Sequence, residues 1–152
     1  MRRNLAALLL LAIPLGLRER NMPQTQPPAA KIIHVEIGGL RNDKGQVLCA
    51  LYSSPNGFPK DVKKAIAHTH SEISQGQATC EFSGIGPGTY AVSLFHDENS
   101  NGKLDTNFMG IPREGVGASN GAKGHFGPPR FEAAAFDFSG GRLDLKITIS
   151  YL

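Results

Sequence analysis

The chain has 152 residues and a formal net charge of +3, enough for one domain with a substantial core and too short for two once an N-terminal leader is set aside. The charge excess is local: residues 1–20 hold Arg2, Arg3, Arg18 and Arg20 against Glu19, so of 16 basic and 13 acidic residues the remainder keeps 12 of each. A neutral body with no tryptophan and no basic cluster interleaved with aromatics argues against a nucleic-acid partner.

In chain order, Met1-Arg2-Arg3-Asn4 is a short cationic start, and residues 5–17 are an apolar run broken only by Pro14 and Gly16. This is the layout of a secretory signal. The run is shorter than the roughly 20 residues that cross a hydrocarbon core, so no transmembrane helix is expected in the mature domain. Residues 1–17 are read as the signal peptide, with its cleavage point open because no Ala-x-Ala precedes Arg18. Residues 18–30, with Pro23, Pro27 and Pro28 beside Gln24 and Gln26, read as a linker. Residues 31–152 are the expected domain, periplasmic or secreted.

From Lys31 the pattern turns to period two. Ile33, Val35 and Ile37 alternate with His34 and Glu36, which predicts a half-buried strand. Asn42-Asp43-Lys44-Gly45 is a turn signal, and Val47, Cys49 and Leu51 form one face of a second strand, so these two strands are expected to pair as a hairpin. The alternation stops between Ser53 and Gly76, where residues 59–70 predict a short helix burying Val62, Ala65 and Ile66. Strand character returns at 77–82. Gly84-Ile85-Gly86-Pro87-Gly88 then turns into 89–95, where Tyr90, Val92 and Leu94 share a face. An irregular stretch rich in Asx and Gly covers 96–129, with Phe126 and Phe131 as its expected apolar anchors. Residues 131–138, a turn at 139–141 and residues 143–151 are expected to close as a second hairpin. Six strands with hairpin-like links predict an all-β fold: a single antiparallel β-sandwich, immunoglobulin-like or transthyretin-like, with one long loop and a short helix. Cys49 and Cys80 are the two cysteines; in an exported chain they fit a disulfide tying two strands, and two buried free thiols are the alternative.

The long loop carries the chemistry. Asp97-Glu98-Asn99-Ser100-Asn101-Gly102-Lys103-Leu104-Asp105 places oxygen side chains at its first, third, fifth and ninth positions with Gly at the sixth. Alternate side chains at one, three and five converge on one centre, the sixth residue turns sharply, and the seventh offers its carbonyl, which is the spacing of a calcium loop. Asp97, Asn99, Asn101, the Lys103 carbonyl and Asp105 are the candidate ligands, and calcium the candidate ion. It is not an EF-hand: position twelve is Phe108 rather than Glu, and the loop follows a strand. Glu98 and Glu114 are candidates for the missing carboxylate. An Asx-rich turn bonded to its own backbone, without metal, explains the same residues. His96, Asp97, Glu114 and His125 form a hydrolytic set on paper, although no nucleophile elbow or His-Glu-x-x-His accompanies them. His68-x-His70 has strand spacing for two metal ligands but no third, so a solvated surface is expected.

Residues 86–136 carry Pro87-Gly88-Thr89-Tyr90-Ala91, then His96-Asp97-Glu98-Asn99-x-Asn101-Gly102-x-Leu104-Asp105. Gly110-Ile111-Pro112-x-Glu114, Ala118-Ser119-Asn120 and Gly127-Pro128-Pro129-x-Phe131 follow in that order. This series resembles the bacterial exported family termed domain of unknown function 2141. The resemblance implies the fold rather than an activity. The Gly-Pro-Gly-Thr-Tyr strand entry is also similar to transthyretin-like and carboxypeptidase-regulatory sandwiches, which are largely non-catalytic. Three readings follow: a non-catalytic module whose calcium-ordered loop faces a ligand or envelope partner, a hydrolase-like enzyme using His96, Asp97 and Glu114, and a metal-free envelope packing protein.

Overall fold

The computed structural model describes residues 30–152; the expected signal peptide, and the linker up to its last residue, lie outside them. The elements are β1 (Lys31–Gly38), β2 (Gln46–Tyr52), β3 (Ala67–Ser71), β4 (Ala78–Ser83), β5 (Gly88–Asp97), β6 (Val116–Ala118), α1 (Phe131–Ala134), β7 (Phe136–Phe138) and β8 (Gly141–Thr148). They form two sheets, one ordered β4-β1-β8 and the other β3-β2-β5-β6, with β7 pairing the N-terminal end of β5. This is the all-β sandwich expected from the alternation. Among the described residues no helix is long and apolar enough to cross a membrane.

The core lies between the sheets. Ile33, Val35 and Ile37 of β1 and Cys80 and Phe82 of β4 face Val47, Cys49 and Leu51 of β2 and Tyr90, Val92 and Leu94 of β5. Each fully buried aliphatic side chain among them contributes about 1.5–3 kcal/mol relative to exposure. Cys49 and Cys80 are joined in a disulfide that links β2 to β4 across the two layers. A second cluster lies on the outer face of the larger sheet, where Ala50, Tyr52, Ala91 and Ala118 are covered by Phe131 and Ala134 of α1. Burial on both faces explains why residues 47–52 of β2 and 90–95 of β5, Ser93 apart, are continuous apolar runs.

Five expectations are corrected. β1 and β2 are not a hairpin: β1 pairs β4 and β8, while β2 pairs β3 and β5. Facing each other across the core, their apolar sides cover one another, which side-by-side pairing cannot do. The terminal hairpin is also absent. β8 runs parallel to β1 and β7 pairs β5, because residues 139–141 carry the chain from one sheet to the other. Residues 131–134 are helical rather than extended, since Phe131 and Ala134 at helical spacing bury together. The helix over 59–70 shrinks to a 3₁₀ turn, Val62–Lys64, whose Asp61 carboxylate accepts the Lys63 N–H at 3.1 Å, and then gives way to β3. Val62 and Ile66 are each 49 % exposed rather than core. The anchor role at Phe126 fails as well, for its ring is fully exposed, whereas Phe131 is buried.

Candidate functional site

The C-terminal end of β5 delivers His96 and Asp97, both fully buried, to one end of the sandwich. There they meet the 39–45 connection, the 98–115 loop and Tyr151. The His96 Nε2 lies 2.7 Å from the Lys44 carbonyl and its Nδ1 2.7 Å from the Tyr151 hydroxyl. A carbonyl only accepts, so Nε2 carries the proton, and in the neutral ring Nδ1 accepts the Tyr151 O–H. The hydroxyl in turn accepts the Arg41 N–H at 3.1 Å, and the Arg41 guanidinium stacks over the Tyr151 ring at 4.4 Å. Both ring nitrogens of His96 are therefore engaged in holding the fold.

Asp97 organises the start of the loop. Its carboxylate accepts the Asn101 N–H at 3.0 Å, the Gly102 N–H at 2.9 Å and the Gln46 side-chain amide at 3.0 Å. Two Asx turns follow in succession: Asn99 Oδ1 accepts the Asn101 N–H at 3.1 Å, and Asn101 Oδ1 accepts the Lys103 N–H at 2.8 Å. Their amide nitrogens both reach the Asp105 carboxylate, at 2.7 Å and 3.1 Å. Gly102 occupies the turn position with φ +75°. The side chains of residues 97, 99, 101 and 105 thus form one hydrogen-bonded group. Among the described residues no three carboxylate, imidazole or thiol groups gather as a metal cluster. A cation at this loop would be held by two carboxylates with amide and backbone oxygens, a hard donor set that fits calcium rather than a softer metal.

Glu114 is buried below the loop, accepting the Glu98 N–H at 3.0 Å and the Asp105 N–H at 2.9 Å, so it clamps the two ends of the loop together. Glu98 points elsewhere, to an ion pair with Arg41 and the Asn42 amide at 3.1 Å. Partial burial works to raise its pKa, but the bonds from Asn42 and Arg41 and the Arg41 charge outweigh it and hold the carboxyl below its usual value. Burial pushes the Tyr151 hydroxyl up, with Glu98 adding to the rise.

Beyond Asp105 the chain forms a small hairpin that the sequence did not announce. Arg113 N–H donates to the Asp105 carbonyl at 2.8 Å, Thr106 and Pro112 form an antiparallel bridge, and Asn107 N–H donates to the Ile111 carbonyl at 2.9 Å. The Asn107 side chain closes the tip by accepting the Met109 and Ile111 N–H groups at 2.9 and 3.0 Å. Phe108, position twelve of the loop, sits at this tip and is 96 % exposed. An open cleft of about 460 Å³ lies at the hairpin's base, lined by Arg41, Glu98, Asn99, Asp105, Thr106, Arg113 and Glu114.

Of the hydrolytic set, His96, Asp97 and Glu114 are all buried at this end, each spent on loop or connection backbone. His125 is exposed on a separate stretch of the chain, and no hydrogen bond joins it to the other three among the described residues. His68 and His70 are exposed on β3, as a solvated surface requires. Arg41, Gln46, Asn107, Arg113 and Tyr151 were not singled out from sequence. Only Asn107 carried a local signal, the Asn and Gly that bracket the turn at 107–110. The family described as "Uncharacterized protein conserved in bacteria (DUF2141)" matches residues 35–146. Neither the curated proteins nor the solved structures yield a match.

Proposed function

The chain belongs to the DUF2141 family, and from the geometry of its 97–114 loop we propose that it is an exported, non-catalytic β-sandwich module whose loop is ordered by calcium and presents a binding surface. The observation that carries this reading is the gathering of the Asn99 and Asn101 side chains on the Asp105 carboxylate beside the buried Asp97, with the two Asn Oδ1 atoms oriented by successive Asx turns. Asp97, Asn99, Asn101 and Asp105 would supply side-chain oxygens and Lys103 its carbonyl. A low carboxylate count sets affinity in the range of extracellular modules, about 10⁻⁴–10⁻³ M. Support for a non-catalytic role comes from His96, Asp97 and Glu114, whose polar atoms are committed to holding backbone. The disulfide across the sandwich supports an oxidising compartment.

The test is thermal unfolding of the metal-free chain with calcium titrated against magnesium. A ligand bound by the native state alone adds about 2.7 kcal/mol at a hundredfold excess over Kd. Asp105→Asn is the informative variant, because Asp97 also carries three structural hydrogen bonds. A calcium-specific rise that shrinks in Asp105→Asn supports the reading. No response to either ion leaves a metal-free Asx-turn loop, and equal responses to both overturn the calcium-specific reading.

A further inference from the structure

The hairpin at 105–113 displays three apolar side chains at its apex: Phe108 is 96 % exposed, Met109 64 % and Ile111 40 %. This exposure is held in place. The apex is a turn in which Gly110 N–H donates to the Asn107 carbonyl at 2.9 Å, and the Asn107 side chain accepts two further N–H groups. Asn at the first position and Gly at the fourth, with φ +77°, supply the turn chemistry, so nothing in the backbone requires Phe and Met at its centre. Central turn positions facing water are ordinarily polar. Two apolar residues there, with a third beside them, form a rigid apolar knob on a polar stem.

The charges around the stem point to what the knob meets. Asp97 and Glu114 are buried and Glu98 is paired with Arg41. The charges facing solvent beside the hairpin are then Lys103, Arg113 and the partly exposed Asp105, a positive excess of one. Neither Lys103 nor Arg113 makes an ion pair among the described residues. A stable protein interface covers about 800 Å² on each partner, well beyond three side chains on a narrow hairpin. An apolar tip with cations at its base instead matches a lipid surface, where the tip enters the acyl boundary and the cations stay level with the phosphates.

We propose that the 105–113 hairpin is a membrane-insertion loop that docks the domain on an anionic lipid surface through Phe108, Met109 and Ile111, with Lys103 and Arg113 on the headgroups. This rests on the proposed function only in taking the loop as the presenting surface. Calcium at the neighbouring residues would add positive charge and strengthen docking without being required for it.

The chain contains no tryptophan, so Phe108→Trp in the full chain creates a single reporter at the knob. Val62→Trp is its control, on the 3₁₀ turn after the far end of β2. Each is mixed with vesicles of phosphatidylethanolamine and phosphatidylglycerol carrying brominated acyl chains, with calcium and with chelator. The expected result is a blue shift and quenching at Phe108→Trp alone, with partitioning about fivefold weaker for each of Lys103→Gln and Arg113→Gln. No shift at Phe108→Trp overturns the proposal, as does an equal shift at both positions, which would place the contact elsewhere on the chain. A blue shift without vesicles that fades on dilution also overturns it, assigning the knob to a second copy. Thermal unfolding of the same samples keeps the two readings apart: calcium stabilisation without insertion sinks the membrane loop alone, and insertion without calcium stabilisation sinks the calcium reading alone.

Discussion

Gly45 shows how closely the site is built at the level of single residues. Its φ is +70°, and a Cβ there would run into the Asp97 carbonyl and the Glu98 backbone, whereas a Cβ on Gly102, at φ +75°, would meet nothing within 4 Å. Gly102→Ala should therefore cost only its left-handed strain, about 1 kcal/mol, and Gly45→Ala about 3 kcal/mol. Urea midpoints decide it; equal losses would show that the approach of residue 45 to β5 is not tight. Glu98 makes a pH prediction. Its carboxyl is held below its usual value in the fold, so the stability it contributes is present above the unfolded pKa, near 4.3, and is lost as pH falls through the lower folded value. Glu98→Gln should be less stable than the parent at neutral pH, and the gap should close in acid. A gap independent of pH would mean that the Arg41 pair contributes nothing through charge.

Among the elements, β5 joins the most partners: β2 on one side, β6 and β7 on the other. The 3₁₀ turn Ser119–Gly121 locks β6 and α1 onto it through one hydroxyl. Ser119, 1 % exposed, accepts the Val92 N–H at 3.0 Å and donates to the Ala134 carbonyl at 2.6 Å. Ser119→Ala leaves a buried N–H and a carbonyl without that partner and should cost about 1–3 kcal/mol. Amide exchange at Val92 and around α1 should rise with it. A neutral substitution would show that α1 is held by Phe131 and Ala134 packing alone. The 59–70 and 131–138 segments depart from their expected conformations for a shared reason. In each, the apolar positions fit one helical turn and extended chain alike, and what the segment packs against decides.

For the whole molecule, the Cys49–Cys80 bond closes a loop with a sequence separation of 31 between opposite sheets. Chain entropy alone assigns such a closure about 3–4 kcal/mol. Reduction should lower the unfolding midpoint accordingly while leaving the loop's hydrogen bonds intact, because the bond lies in the core and the candidate site lies at the end of the sandwich. Chemical unfolding with and without reductant measures the first, and amide exchange at Asn101, Gly102 and Asp105 in the reduced protein the second. Loss of protection at those amides on reduction, in a protein still folded, would show that core and loop are coupled.

Alternation determined most of the strands and their inward faces: Ile33, Val35, Ile37, Val47, Cys49, Leu51, Tyr90, Val92 and Leu94 are all buried as their spacing requires. The spacing of Asp97, Asn99, Asn101, Gly102 and Asp105 likewise determined a turning loop, since an Asx side chain bonds backbone two residues on and Gly takes the left-handed position. Which strands are neighbours was left to the tertiary structure. Period two states which side of a strand is apolar and nothing about what lies beside it, so crossing the core and pairing in a hairpin leave the same pattern. The burial of His96 and Glu114 and the gathering of Arg41, Arg113 and Tyr151 around the loop were decided there too. Those groups come from distant parts of the chain, and their meeting depends on two sheets closing over one core.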